Sequence, residues 1–300
     1  MVWQITKSFL IFLLILTGFI LILLLPREKE VVVFSVHHVE TKYPFSFELY
    51  KERIDDFIHH FQTEKGFGTV ERTGIPIKDE VKEMLGRSIK IVIPSFIISV
   101  SLGILFGVVR FYNRSRKLGK IQATLSWFFS SIPDFFLYIA IQYMFIKLIR
   151  VGFPHFNLYG SDQWYSFILP LCAVSLFPFI HMSNFTTAAL ENEMGQEYLR
   201  TVYAKGLDKT KALVHMLWNC WSTLLNQTQL VMLYILSSLP IIEKLSGYNG
   251  AGYQLLQSIL ENEEARALAY MLPFLGFMFA AMVLTQILKN VLVPKEARGM

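Results

Sequence analysis

No phosphate-cradling loop of the form G-x-x-x-x-G-K-[ST] occurs in the chain. The nearest glycine-lysine pair, Gly119-Lys120, runs on into Ile121 and Gln122, which excludes ATP hydrolysis by that route. H-E-x-x-H and G-x-S-x-G are also missing, which removes a zincin-type intramembrane protease and a hydrolase elbow. Cysteine is scarce. Cys172 and Cys220 fall in or at the edge of apolar segments, in no metal or redox spacing, and are expected as buried free thiols. Charge is scarce too, at 17% of 300 residues, and it is gathered between apolar runs rather than spread through them. Apolar residues make up 53% and aromatics 15%, with a mean hydropathy of +0.43, too apolar for a soluble domain of this size. The chain belongs in a bilayer, and its net charge of +5 reads as topology and headgroup attraction, with no nucleic acid needed to explain it.

Apolar runs divide the sequence. Residues 8–25 form a first run just long enough to span; Pro26, Arg27, Glu28 and Lys29 follow it with no small-x-small cleavage site, so an uncleaved span is favoured over a secretory signal. Residues 26–87 are polar and predict a small extracytoplasmic element, with a strand or two and an amphipathic helix near 48–61. His37, His38, Glu40, His59 and His60 raise a metal hypothesis, but adjacent histidines diverge on any regular element, so surface histidines are expected and no metal. Further spans are predicted at 88–109, 121–148, 166–190, 218–242 and 268–293. Arg110, Arg114, Arg116, Lys117 and Lys120, with no acid among them, mark the loop after the second span as cytoplasmic. Phe153, Phe156, Tyr159, Trp164 and Tyr165 suit an outer interface. The plan is an all-α membrane protein of six spans with both termini cytoplasmic: an N-terminal helix (1–25), an outer element (26–87) and a core (88–300). No internal repeat or low-complexity tract is evident.

Between the fourth and fifth spans lies a polar stretch, 191–217, whose part from Glu197 to Lys205 is built of good helix formers. Leu199, Val202 and Tyr203 make a short apolar stripe there beside charged neighbours, and Gly206 allows a left-handed stop. A small pair of helices on the water side of the membrane follows, and by pattern alone it could simply lie on lipid. Inside the spans, Asp134 is the clearest polar candidate for a pathway, because an ionised side chain facing lipid costs about 2.5–3.5 kcal/mol even on lenient scales. His181 and Asn184, and Asn226, Gln227 and Gln229, are weaker candidates, since such groups also join helices to one another. Asp134 could meet an amino group or cation of a solute, or equally a basic residue of a partner.

The string Tyr198, Arg200, Thr201, Ala204, Lys205, Gly206, Leu207 resembles the cytoplasmic signature loop of ABC importer permeases of the oligopeptide, dipeptide and nickel family. Gly66, Phe67, Gly68 and then Thr73 to Pro76 are similar to that family's segment before its second span. Ser131, Ile132 and Pro133 are similar to a Ser-apolar-Pro step, and Glu243, Gly247, Tyr248, Gly250 and Gly252 to a Glu then Gly-x-Gly region. The resemblance covers nearly the whole chain. It implies the type I importer fold, a second homologous permease, two ATPase subunits carrying ATP and Mg, an extracytoplasmic binding protein, no cofactor in this chain, and a bacterial plasma membrane.

The resemblance also implies roles. The loop from Glu197 to Leu207 would couple to the ATPase, with Leu199, Val202 and Tyr203 filling its groove and Glu197, Arg200 and Lys205 on the rim. Glu243, Tyr248, Gly250 and Gly252 would serve the outer gate or the binding-protein contact. The sequence departs from the family where Asp134 replaces a small hydroxyl residue, Ser246 an aromatic and Asn249 a proline. The usual proline is missing from 219–226, and Pro294-Lys295-Glu296 stands in place of an Asp-Pro-Arg ending. Two alternatives remain open at this point: a scaffold or regulatory homologue that no longer transports, and a secondary transporter coupling ions through Asp134 and His181.

Overall fold

The computed structural model describes residues 2–25, 30–35, 38–42, 45–64, 66–70, 73–154 and 157–292. The architecture is helical throughout its membrane portion. Helix α1 (Val2–Leu23) is followed by a two-stranded antiparallel ribbon, β1 (Glu30–Ser35) and β2 (His38–Lys42), in the register Val31↔Thr41 and Val33↔Val39. Helix α2 (Phe47–Thr63) starts where the Ser46 side chain accepts the Leu49 N–H at 3.0 Å, as an N-cap should. It is tied to the top of α1 by the Tyr50 hydroxyl, which donates to Leu21 O at 2.8 Å, and to the far end of the chain by an Arg53–Glu264 ion pair at 2.9 Å. His37 lies outside the described residues. His59 meets Thr63 one turn along α2, and among the described residues no three His, Cys, Asp or Glu converge on a point.

Among the described residues four helices are long and apolar enough to cross a bilayer: α3 (Ile77–Tyr112), α6 (Ile168–Glu193), α8 (Lys209–Ser246) and α10 (Glu264–Leu292). Each carries an internal proline, Pro94, Pro178, Pro240 and Pro273 respectively, and each continues past it. Helix α3 runs unbroken across residue 87, so the outer element passes into the span with no hinge. The run 121–148, expected as one long span, is instead two helices, α4 (Lys117–Ser130) and α5 (Asp134–Arg150), bent by 104°. Pro133 explains the break: it has no N–H, and its backbone is extended at φ −58° and ψ 140°, outside the helical region. The bent pair is a broken span or a re-entrant segment, so four or five spans are accounted for, with the shorter apolar stretch Phe9–Leu23 of α1 beside them.

The helices pack in the order α1, α10, α8, α6, α3, with α4 and α5 laid on α6 and α8. Lipid tails are as apolar as leucine, so close backbone approach and interhelical hydrogen bonds must hold such a bundle together. The α3–α6 pair shows both. Ser95, Ser99, Gly103 and Gly107 repeat every four residues along one face of α3. Ser99 donates to Ser175 O at 3.0 Å, and Thr187 of α6 donates to Gly107 O at 3.1 Å. A Cβ at Gly107 would lie 2.6 Å from Thr186 Cβ and 2.7 Å from Ser183 O. Gly107→Ala is therefore expected to lower stability by about 1–3 kcal/mol through overpacking. Gly86→Ala in the same helix, with nothing within 4 Å, should not, and thermal unfolding in detergent separates the two. Thr228 and Thr285 join α8 to α10 in the same way, at 2.7 Å. Cys220 is buried as expected, but Cys172 is exposed on the outer surface of α6, a correction to the pairing of both thiols with the interior.

Candidate functional site

Helix α7 (Glu197–Ala204) is eight residues long and is held by its own core rather than by lipid. Leu199 and Val202 are buried in the main hydrophobic cluster, with Tyr198 and Leu207 packed against it. That corrects the expectation that Leu199 and Val202 present an apolar stripe to another protein: a two-faced helix this short spends its stripe on its own chain. What remains outside is Glu197, Arg200, Thr201, Tyr203, Ala204 and Lys205, with the Tyr203 ring 53% exposed. Tyr198 donates to Glu193 Oε2 at 2.7 Å, bracing α7 against the end of α6. Burial pushes its phenol well above the ordinary tyrosine range, and the carboxylate partner pushes it the same way.

The exit from α7 is a left-handed C-cap. Gly206 stands at φ +74°, its N–H donates to Tyr203 O at 2.9 Å, and Leu207 N donates to Val202 O at 3.4 Å. Asp208 then caps α8 by accepting the Lys211 N–H at 3.0 Å. The stop-and-restart read from Gly206 is therefore present in full.

A second cluster lies where the α4–α5 break meets the proline of α6. A cavity of about 300 Å³ is lined by Ser130, Ser131, Ile132, Pro133 and Asp134 on one side, and by Phe177, Pro178, Tyr234, Ser237 and Ser238 on the other. Pro178 is ten residues into α6, about 15 Å from its N-terminal end, which is half of a hydrocarbon core roughly 30 Å thick. His181 sits one turn further along, its ring edge-on to Tyr234 at 5.1 Å and its Nε2 3.3 Å from Gln227 Oε1. Asp134 and Tyr234 thus share the cavity, while His181 stands behind Tyr234 and ties it to Gln227, outside the lining. Asn184 is not part of this group: it accepts from Arg110 Nη1 and belongs to the α3–α6 joint. Gln229, two residues beyond Gln227, projects to a different side of α8 and is half-buried. Of the residues gathered here, Ser237 and Ser238 carried no sequence signal beyond their place near Pro240.

The third cluster stands where α8 ends and α9 (Ala251–Glu261) begins. Glu243 is fully buried and accepts from Ser88 Oγ at 2.5 Å and Tyr253 N at 2.8 Å, while Ser88 Oγ in turn accepts from Ala251 N at 2.8 Å. Its carboxyl group therefore caps the start of α9 from inside the protein. Gly250 and Gly252 exist to admit it: a Cβ on either would lie 2.4 Å and 3.0 Å from its oxygens. Tyr248 is buried and donates to Arg87 O at 3.2 Å. None of these side chains reaches the outer surface, so any part they take in an outer gate is exercised through this brace. The departures from the family pattern are satisfied locally. Asn249 accepts from Gln254 at 2.6 Å, and Ser246 donates to Glu243 O at 3.0 Å. Nearby, Arg266 binds Glu80 and Glu263, each at 2.6 Å, which locks α3 to the α9–α10 turn.

Comparison with known proteins agrees with this geometry. Residues 99–298 match the family described as binding-protein-dependent transport system inner membrane component, which is two thirds of the chain and includes α6, α7, α8 and α9. A permease protein of Brucella abortus named for a peptide transport system is 28% identical over 226 residues, covering 73% of this chain and 72% of that one. A Brucella suis protein of the same description matches equally. The glutathione transport system permease protein GsiC of Escherichia coli is 25% identical over 199 residues, covering 66% of this chain and 63% of its own. The match shows that this chain belongs to the inner membrane components of binding-protein-dependent transport systems, as a multi-pass ABC importer permease of the peptide family.

Proposed function

We propose that the chain is one of two permease subunits of an ATP-driven importer and that α7 is where its ATPase subunits push. The observation that carries this reading is the division of labour on α7. Leu199 and Val202 fasten the helix to the bundle, so a load applied to Tyr203, Arg200, Ala204 and Lys205 passes into α6 and α8 instead of merely peeling α7 away. An exposed aromatic ringed by charge has the character of an interface anchor. The chain lacks a phosphate-binding loop, so ATP and its Mg belong to the partner subunits.

In the full assembly α1 and the bent α4–α5 pair complete six spans, with both termini on the cytoplasmic side along with the basic loop 110–120. An extracytoplasmic binding protein delivers the solute, for which small peptides are the natural class given what the relatives are named for. Closure of the ATPase pair on ATP draws the coupling helices together and shifts the two permeases from inward-open to outward-open, because ATP binds the closed state better.

Co-expression with ATPase and second-permease subunits from the same organism should yield a complex that purifies through a tag on this chain. Its ATPase activity should rise when the loaded binding protein is added. A chain that purifies alone, or an ATPase indifferent to it, would return the scaffold reading.

A further inference from the structure

We propose that the cleft at the α4–α5 break is a binding site for a protonated amine of the transported solute, with Asp134 as its counter-charge. The assignment rests on the permease reading for the source of its ligand, and on hydrogen-bond accounting for its sign.

Each serine in the lining has already spent its single hydrogen. Ser130 and Ser131 both donate to Trp127 O at 2.9 Å, Ser237 donates to Tyr234 O at 3.0 Å, and Ser238 to Ile235 O at 3.4 Å. Four hydroxyl oxygens are thereby left as acceptors. Pro133 and Pro178 bring no N–H, and at the broken end of α4 the Ser131 and Ile132 N–H groups are already given to Phe128 O and Phe129 O, so neither is left to donate into the cleft. Asp134 accepts its neighbour Phe135's N–H at 2.8 Å, and it is the one acid in the lining. The Tyr234 hydroxyl can serve either way, and its ring stands edge-on to Phe177 at 5.0 Å as an aromatic wall.

The cleft also holds the N-terminus of α5, whose positive end of about half a charge is outweighed by the full charge of the Asp134 carboxylate. With four hydroxyl acceptors and two aromatic rings beside it, the lining suits an ammonium, which offers three donors and a charge that rings also attract. At about 300 Å³ it is larger than a bare metal ion requires, and it matches the amino end of a small organic solute. Its place at mid-depth, between a broken helix and one that carries an internal proline, is where alternating-access transporters present backbone and side-chain groups to their cargo.

The same charge could instead meet a lysine or arginine of the second permease, and thiol chemistry distinguishes the two. In a Cys172→Ala background, Ser131→Cys places a reactive thiol beside Asp134. The full complex in nanodiscs is then treated with trimethylammonioethyl or sulfonatoethyl methanethiosulfonate. With each rate divided by that reagent's rate toward a small free thiol, the cationic reagent is expected to be favoured about ten-fold or more, and Asp134→Asn should bring this normalised ratio to within about three-fold of unity, while Asp134→Glu keeps it. A ratio that ignores Asp134→Asn overturns the proposal. So does selectivity present in the isolated chain but lost on assembly, since that outcome gives the carboxyl group to a basic residue of the partner. The ratio is read without transport, so it stands or falls apart from whether an ATPase co-purifies.

Discussion

Tyr203→Asp is expected to abolish the stimulation of ATP hydrolysis by loaded binding protein while the chain still inserts, folds and purifies at normal yield. The ring is 53% exposed on α7, so its loss removes nothing from the chain's own core. In the assembly an aspartate at the same place would leave an unpaired charge in a desolvated groove. The loss of an aromatic anchor alone is worth about 2–4 kcal/mol, or roughly 30- to 1,000-fold in engagement. Leu199→Asp should behave differently, because Leu199 is 4% exposed and its replacement tears α7 from the bundle, reducing yield as well as coupling. Gly206→Pro attacks the same link through the backbone. Proline cannot adopt φ +74°, and it deletes the N–H that closes the turn onto Tyr203 O. Intact stimulation in Tyr203→Asp, with ATPase assembled, would show that the drive enters somewhere other than α7.

The parts of the fold legible in the sequence are those where one pattern has one physical meaning. Long apolar runs bounded by charge yielded α6, α8 and α10 within a few residues at most ends, and Gly206 marked the only conformation that could stop α7 there. The facing of α7 was not legible, because a stripe at helical spacing states that a face is buried without saying in which protein. The 104° break was hidden for a related reason. Pro94, Pro178, Pro240 and Pro273 all sit in helices that continue, so a fifth proline inside an apolar run predicts nothing by itself. Paired serines before the proline do not single it out either, since Ser237 and Ser238 fold back on their own helix before Pro240 just as Ser130 and Ser131 do before Pro133. What differs is the Pro133 backbone, extended at ψ 140°. The spacing of Ser95, Ser99, Gly103 and Gly107 was readable in principle as a close-packing face, since four small residues four apart align on one side of a helix. Glu243 was read as part of an outer gate or contact, and it stands buried as an inward cap of α9, because nothing in a linear motif separates a buried carboxyl from an exposed one.

Glu243→Ala is expected to lower stability by about 3–5 kcal/mol, since it orphans the Ser88 hydroxyl and the Tyr253 N–H inside the protein at about 1–3 kcal/mol each and opens a void. In detergent this should appear as an apparent melting point lower by ~10 °C. Glu243→Gln should fall between, because the amide keeps one accepting oxygen but turns hydrogens toward groups that are themselves donors. Gly250→Ala should cost a comparable amount for the opposite reason. Its backbone, at φ −111°, suits any residue, so the penalty is purely the Cβ lying 2.4 Å from Glu243 Oε1 and 2.5 Å from Ser88 Oγ. Gly276→Ala, with nothing within 4 Å, is the matched control and should be neutral. The decisive variant is the double. With the carboxyl group gone, the methyl of Gly250→Ala occupies the space it left, so Glu243→Ala with Gly250→Ala should be less damaged than the sum of the singles by at least about 1 kcal/mol. Strict additivity would mean that the glycine and the acid answer to separate constraints, and that the start of α9 is held by something other than the contact between them.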